Sequence, residues 1–152
     1  MSSAVSDILN VDCTEIDVSV SSKKKLLEYL GQLISSQLSA SSADDIFDRL
    51  LNRERLGSTG IGEGIAIPHC RLKECDKAFG VLLRLQQPID FDAIDRQPVD
   101  LVFALLVPEE ATDEHLQVLS MLARNFSDEQ FRQALRNAPD ARQLYSRASK
   151  AS

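Results

Sequence analysis

The sequence reads as an α/β fold: one domain of α/β/α layers, with a mixed, mainly parallel central β-sheet flanked by helices. Three observations carry this. The 152 residues match one compact domain, with no repeat or linker to divide them. Helical periodicity fills both ends of the chain while strand-like patterns fill the middle. Residues 101 to 107, LVFALLV, form a continuous branched apolar run, the pattern of a strand buried on both faces. The expected domain spans 1–152, ordered over about 5–148 with short tails.

The elements follow in order. Residues 15–20, EIDVSV, alternate apolar and polar as a short strand does. Ser21 and Ser22 can cap a helix whose stripe is Leu26, Leu27, Leu30, Leu33, Ile34 and Leu38. Ser42, with Asp45 three residues on, resembles a capping box before a second helix marked by Ala43, Ile46, Phe47, Leu50 and Leu51. Gly57 suits the C′ position that ends it. Residues 65–68 are extended, because the residue before a proline avoids the α region. Phe79, Val81, Leu83 and Leu85 alternate as a strand, and DFDAIDRQ, residues 90–97, connects it to the apolar run. Thr112 is the expected cap of a helix with the stripe Leu116, Leu119, Leu122, Ala123 and Phe126. Ser127 with Gln130 reads as another capping box, Pro139 as N1 of a last short helix, and SRASKAS as a frayed tail.

Composition narrows the function. The net charge of −6 argues against nucleic acid, whose phosphates are bound mainly by Lys and Arg. The basic run Lys23–Lys25 opens an amphipathic helix and reads as a solvated first turn. Cys13, Cys70 and Cys75 are odd in number and irregular in spacing, and MSSAVSDILN has neither a basic n-region nor a long apolar h-region. A reducing cytoplasm is the expected location. The longest apolar run is too short to span a membrane as a helix, so no membrane segment is expected.

GSTGIGEGIAIPHC, residues 57–70, concentrates four of the six glycines just before His69. It is not a P-loop, since GxxxxGK[ST] requires a lysine that is absent here. It is not the dinucleotide fingerprint either: Gly60, Gly62 and Gly64 are spaced GxGxG and lead into an extended run instead of a helix. The remaining readings are a scaffold that gathers backbone N–H groups around an anion beside His69, and an ordinary loop next to a structural histidine. On the first, a rigidly held neutral imidazole can accept a phosphoryl group.

RERLGSTGIGEGIAIPH resembles the active-site segment of the IIA proteins of the bacterial phosphoenolpyruvate-dependent phosphotransferase system, in the fructose, mannitol and nitrogen-regulatory branch. PIDFDAIDRQPVDLVFALLVP and HLQVLSMLA resemble it too, so the likeness covers almost the whole chain, and it is strongest to the nitrogen-regulatory type. The resemblance implies that His69 is phosphorylated at Nε2 by a small histidine phosphocarrier protein, with no cofactor and no metal. It implies that His115 is the second active-site histidine, stabilising the phosphoryl group from the start of a helix. It favours Arg53, sixteen residues before His69, over Arg55 as the phosphoryl-stabilising arginine. Gly60, Gly62 and Gly64 would wall the site. Ile61, Ile65 and Ile67 would form an apolar docking patch with acidic rims, suited to a basic carrier.

One position departs from the family pattern: Cys70 stands where many members have glycine. Its β-carbon would narrow the approach to His69. Cys–His catalysis is disfavoured, because neighbouring side chains in an extended segment face opposite ways. A zinc site is disfavoured by the lack of a CxxC or HxxxH pair. Two outcomes stay open. One is a regulator whose phosphorylation state switches partner binding, with outputs in nitrogen or carbon metabolism and potassium homeostasis. The other is a relay passing phosphate to a IIB domain for fructose or mannitol uptake. A small-molecule domain using the glycine loop as an anion nest is a third reading.

Overall fold

Strand β6, Val99–Pro108, sits in the middle of the molecule and is buried along nearly its whole length. The computed structural model describes residues 4–73, 75–110 and 114–151. In chain order these form a 3-10 turn (Val5–Asp7), β1 (Leu9–Val18), α1 (Lys23–Gln37), α2 (Ala43–Arg55), β2 (Gly60–Gly62), β3 (Ile65–Ala66), β4 (His69–Leu72), β5 (Phe79–Ile89), β6, α3 (Glu114–Phe126), α4 (Glu129–Arg136) and α5 (Ala141–Ser149). The sheet runs β1-β5-β6-β3-β2, with β4 also pairing β6 further along the same edge. β1 with β5, β3 with β6 and β4 with β6 are parallel. β5 with β6 and β2 with β3 are antiparallel. The expected layered, mixed, mainly parallel sheet is the one observed.

Alternation along β6 divides the core. Val102, Ala104 and Leu106 face Leu26, Leu30 and Ile34 of α1 and Ile46 and Leu50 of α2. Leu101, Phe103, Leu105 and Val107 face Val118, Met121, Leu122 and Phe126 of α3, with Leu135, Leu144 and Ala148 beyond. Each such large side chain, fully buried, stabilises the fold by about 1.5–3 kcal/mol. α1 and α2 begin on their predicted serines: Ser22 accepts from Lys25 N at 3.2 Å and Ser42 from Asp45 N at 3.0 Å.

Several expectations need correction. β1 begins at Leu9, because register shifts against β5 erase the two-residue alternation in its first half. β5 continues to Ile89, which pairs with Val99. α4 is capped by Asp128, which accepts from Gln130 N, while Ser127 Oγ donates back to Arg124 O. α5 is capped by Asp140, leaving Pro139 outside the helix. The segment read as a tail continues α5 to Ser149, and Ala151 O accepts from Val5 N at 3.1 Å. The Thr112 cap lies outside the described residues.

The glycine stretch is a hairpin. β2 and β3 are joined by Glu63 and Gly64, with φ of 60° and 80°, the left-handed pair that a two-residue turn of this hand requires. Three interactions pin it. Glu63 N donates to Asp95 Oδ2 at 2.9 Å. Arg136 grips Asp100 through Nε and Nη2 (3.0 and 2.9 Å) and also donates to Glu63 O. Asp100 N and Leu101 N both donate to Gly64 O. A β-carbon on Gly64 would lie 2.8 Å from Asp100 Oδ1 and closer still to Arg136 Nη2.

Gly64→Ala is therefore expected to lower unfolding free energy by roughly 2–4 kcal/mol, combining the left-handed backbone cost with disruption of the Arg136–Asp100 pair. Chemical denaturation checks this; a loss under about 0.5 kcal/mol would mean the hairpin has room to shift.

Candidate functional site

Pro68 interrupts the edge of the sheet, and β4 resumes beside β6 with His69 opposite Leu105 and Cys70 opposite Leu106. The β4 side chains alternate. His69 and Arg71 take the open face, while Cys70 and Leu72 are buried in the layer packed under α1 and α2. Cys70 thus points away from His69, and burial pushes its thiol up to about 12, far from thiolate chemistry at neutral pH.

The hydrogen bonds of His69 fix its tautomer. Nδ1 lies 2.8 Å from Ile67 O, and a carbonyl can only accept, so Nδ1 carries the proton. Nε2 therefore keeps its lone pair and accepts from Arg53 Nε at 3.2 Å. Arg53 is held in turn by Nη1 donation to Gly57 O at 2.9 Å. Burial holds the His69 pKa below the ordinary imidazole value, and the Arg53 charge acts in the same direction. The ring is neutral near pH 7, with its nucleophilic nitrogen directed at a guanidinium.

His69 opens into a cavity of about 440 Å³ lined by Arg49, Asn52, Arg53, Leu56, Cys70, Arg71, Val107, His115, Leu116 and Leu119. His115, the second residue of α3, is half-buried. Its Nε2 lies 3.5 Å from Arg71 Nη2, and its Nδ1 is buried with no partner among the described residues. Arg71 Nη1 also donates to Glu109 O at 3.3 Å. Arg49 is engaged by Asp45 at 3.2 Å and Glu109 at 3.5 Å. Behind the site, Glu54 is buried, paired with Lys23 at 2.9 Å and accepting from both N and Oγ1 of Thr59. That buried carboxylate ties the end of α2, which carries Arg53, to the loop that leads into the hairpin.

The structure brings His69, Arg53 and His115 together but not the rest of the expected site. Gly60, Gly62 and Gly64 do not line the cavity. Gly64 precedes His69 by five residues of mostly extended chain, about 16 Å. Ile65 and Ile67 are buried beneath the α3–α5 layer. Ile61 is exposed, but on the hairpin and outside the cavity. The apolar rim comes instead from Leu56 and Leu116, 85% and 56% exposed, with Leu119 and Val107. Among the described residues, the charged side chains lining the cavity are Arg49, Arg53 and Arg71, and the acids at its margin are Asp45 and Glu109, both paired with Arg49.

Arg49 and Arg71 went unread in the sequence, although each had a signal. Arg71 is two residues from His69 on a strand, and Arg49 is four residues from Arg53 on a helix, so each shares its partner's face. No cluster of three or more His, Cys, Asp or Glu side chains able to hold a metal occurs among the described residues.

The family profile for the phosphoenolpyruvate-dependent sugar phosphotransferase system, EIIA 2, matches residues 7–150. The chain is 48% identical over 130 residues to a nitrogen regulatory protein of Pseudomonas aeruginosa, covering 86% of this chain and 84% of that one. It is 47% identical over 142 residues to a nitrogen regulatory protein of Escherichia coli K12, covering 93% and 86%. The crystal structure of nitrogen regulatory protein IIA-Ntr from Neisseria meningitidis superposes with a TM-score of 0.89 at 43% identity, covering 95% of this chain and 98% of that one.

The depressed His69 pKa has a sign that can be checked. Between its folded value and about 6.5 the unfolded chain binds more protons, so stability rises with pH through that window and the gain is complete above it. NMR titration is expected to give His69 a midpoint below 6.5, and His69→Gln to remove that part of the pH dependence. A midpoint at or above the free-imidazole value would contradict the buried, guanidinium-facing ring.

Proposed function

The chain belongs to the EIIA 2 family of the phosphoenolpyruvate-dependent sugar phosphotransferase system, and from that premise we propose that His69 accepts a phosphoryl group at Nε2 from a histidine phosphocarrier protein. The observation that carries this reading is the tautomer: proton on Nδ1, held by Ile67 O, and a lone pair on Nε2 facing Arg53. In the transfer, Nε2 attacks phosphorus as the P–N bond to the carrier's imidazole breaks. The leaving nitrogen keeps that electron pair, and the Nδ1 proton stays on the His69 ring. Arg53 must release Nε2 as the new bond forms, and its guanidinium then meets the phosphoryl oxygens. His115, at the first turn of α3, supplies further stabilisation of the same charge. The chemistry is mainly positioning plus electrostatics. Leu56 and Leu116 give the carrier an apolar landing surface beside the histidine.

The output of the phosphorylated protein is regulatory on this reading. Relatives identical at nearly half of the aligned positions are named nitrogen regulatory proteins. A group of charge about −1.5 to −2 placed in the cavity that Leu56 and Leu116 also line would alter which partners dock there.

His69→Ala is expected to abolish labelling by phosphoenolpyruvate with the two upstream proteins, and His115→Ala to slow it by roughly tenfold to a hundredfold. Full labelling of His69→Ala would overturn the assignment. Pull-downs with both forms separate the outcomes: a partner held by one form alone supports a regulator, whereas efficient onward donation to a IIB domain supports a relay.

A further inference from the structure

Three guanidinium groups line the cavity, and they are not equivalent. Arg49 is tied by two carboxylates, Asp45 and Glu109. Among the described residues, no carboxylate lies within ion-pair distance of Arg53 or Arg71. Arg53 reaches His69 from α2, and Arg71 stands on β4 with its Cα about 6.6 Å from that of His69, on the same open face. The cavity therefore holds, besides the neutral imidazole, two cationic groups without a carboxylate partner among the described residues: Arg53 on His69 Nε2 and Arg71 beside His115.

The contacts of Arg71 are loose. Its Nη2 lies 3.5 Å from His115 Nε2 and its Nη1 3.3 Å from Glu109 O, both at the long end for hydrogen bonds. Little is lost when such contacts are released. A phosphoryl group on His69 Nε2 presents three acceptor oxygens and a charge near −2. A single guanidinium cannot balance that charge.

We propose that Arg71 is a second phosphoryl-binding residue of this site, turning from His115 Nε2 to a phosphoryl oxygen when His69 is phosphorylated, from the same cavity that Arg53 lines. In the unphosphorylated protein the same side chain holds the edge of the His115 ring, so Arg71 links the second histidine to the phosphorylation state of the first. This rests on His69 being the phosphoacceptor.

The test compares wild type, Arg71→Gln and Arg71→Lys as intact chains. Three readouts are taken: steady-state transfer from the phosphorylated carrier, the equilibrium phosphoryl distribution between carrier and chain, and the 15N signals of His115. Arg71→Gln is expected to lower kcat about tenfold with KM little changed, and to shift the phosphoryl equilibrium about tenfold towards the carrier. Arg71→Lys should recover part of both losses, since it restores the charge without the planar fork. In wild type the His115 Nε2 signal should move on phosphorylation, and in Arg71→Gln it should already be displaced beforehand. Wild-type kcat and equilibrium in Arg71→Gln would overturn the proposal while leaving His69 as the acceptor. Absence of label on wild-type His69 would instead remove the phosphoacceptor reading, and this inference with it.

Discussion

Strand β6 has no face to give to water. Its residues from Leu101 to Val107 alternate between two helical layers, and its two edges are taken by β5 on one side and by β3 and β4 on the other. A strand constrained this way leaves its neighbours little choice of register, because a one-residue slip would turn every buried side chain to the wrong layer. The parallel pairing that sets Ile65 opposite Leu101 also sets His69 opposite Leu105. The position of the His69 ring is thus inherited from the core.

Ile65, Ile67 and His69 share one parity along the extended segment, yet two are buried and one opens to a cavity. The difference lies in what covers them. Ile65 and Ile67 belong to the cluster packed against α3, α4 and α5, while His69 lies near the first turn of α3, where that cover gives out. Leu116 and Leu119 sit at the same margin, which is why an apolar helical stripe leaves Leu116 exposed beside the histidine. The helix thus closes the core at one end and leaves a partly apolar rim at the other.

This explains what the sequence made legible. Periodicities of two and 3.6 exposed the layers, the serine caps and the strand buried on both faces, because these depend on local pattern and solvent alone. Pro68 exposed the extended approach to His69 by forbidding a helical residue before it. Spacing could not say where the glycines lay relative to the histidine. GxGxG specifies backbone freedom and says nothing about its use, and here it serves a hairpin gripped by Arg136 and Asp100. Those two residues lie far apart in sequence from the turn they hold, so no window around residue 64 could show them. The stripe expected for α3 departs from the buried face for the same reason: its apolar residues cover more of the helix than its contact with the core, and only the packing decides that Val118 and Met121 are inside while Leu116 and Ala123 are not.

The electrostatics of the cavity run against those of the chain. The protein carries a net charge of −6, yet among the described residues the charged side chains lining the cavity are all arginines. Exposed charges are screened beyond about 8 Å at physiological ionic strength, so the acidic exterior scarcely weakens Arg53 at its 3.2 Å contact with His69. It does make the surrounding surface a poor collector of free anions. On the phosphoacceptor reading, this separation favours a phosphoryl group handed over at contact range by a docked protein, whose apolar face Leu56 and Leu116 can receive. A neutral histidine suits that arrangement better than a charged one. It leaves the two guanidinium groups as the cationic partners of the arriving group, and it keeps the Nε2 lone pair free to make the new bond.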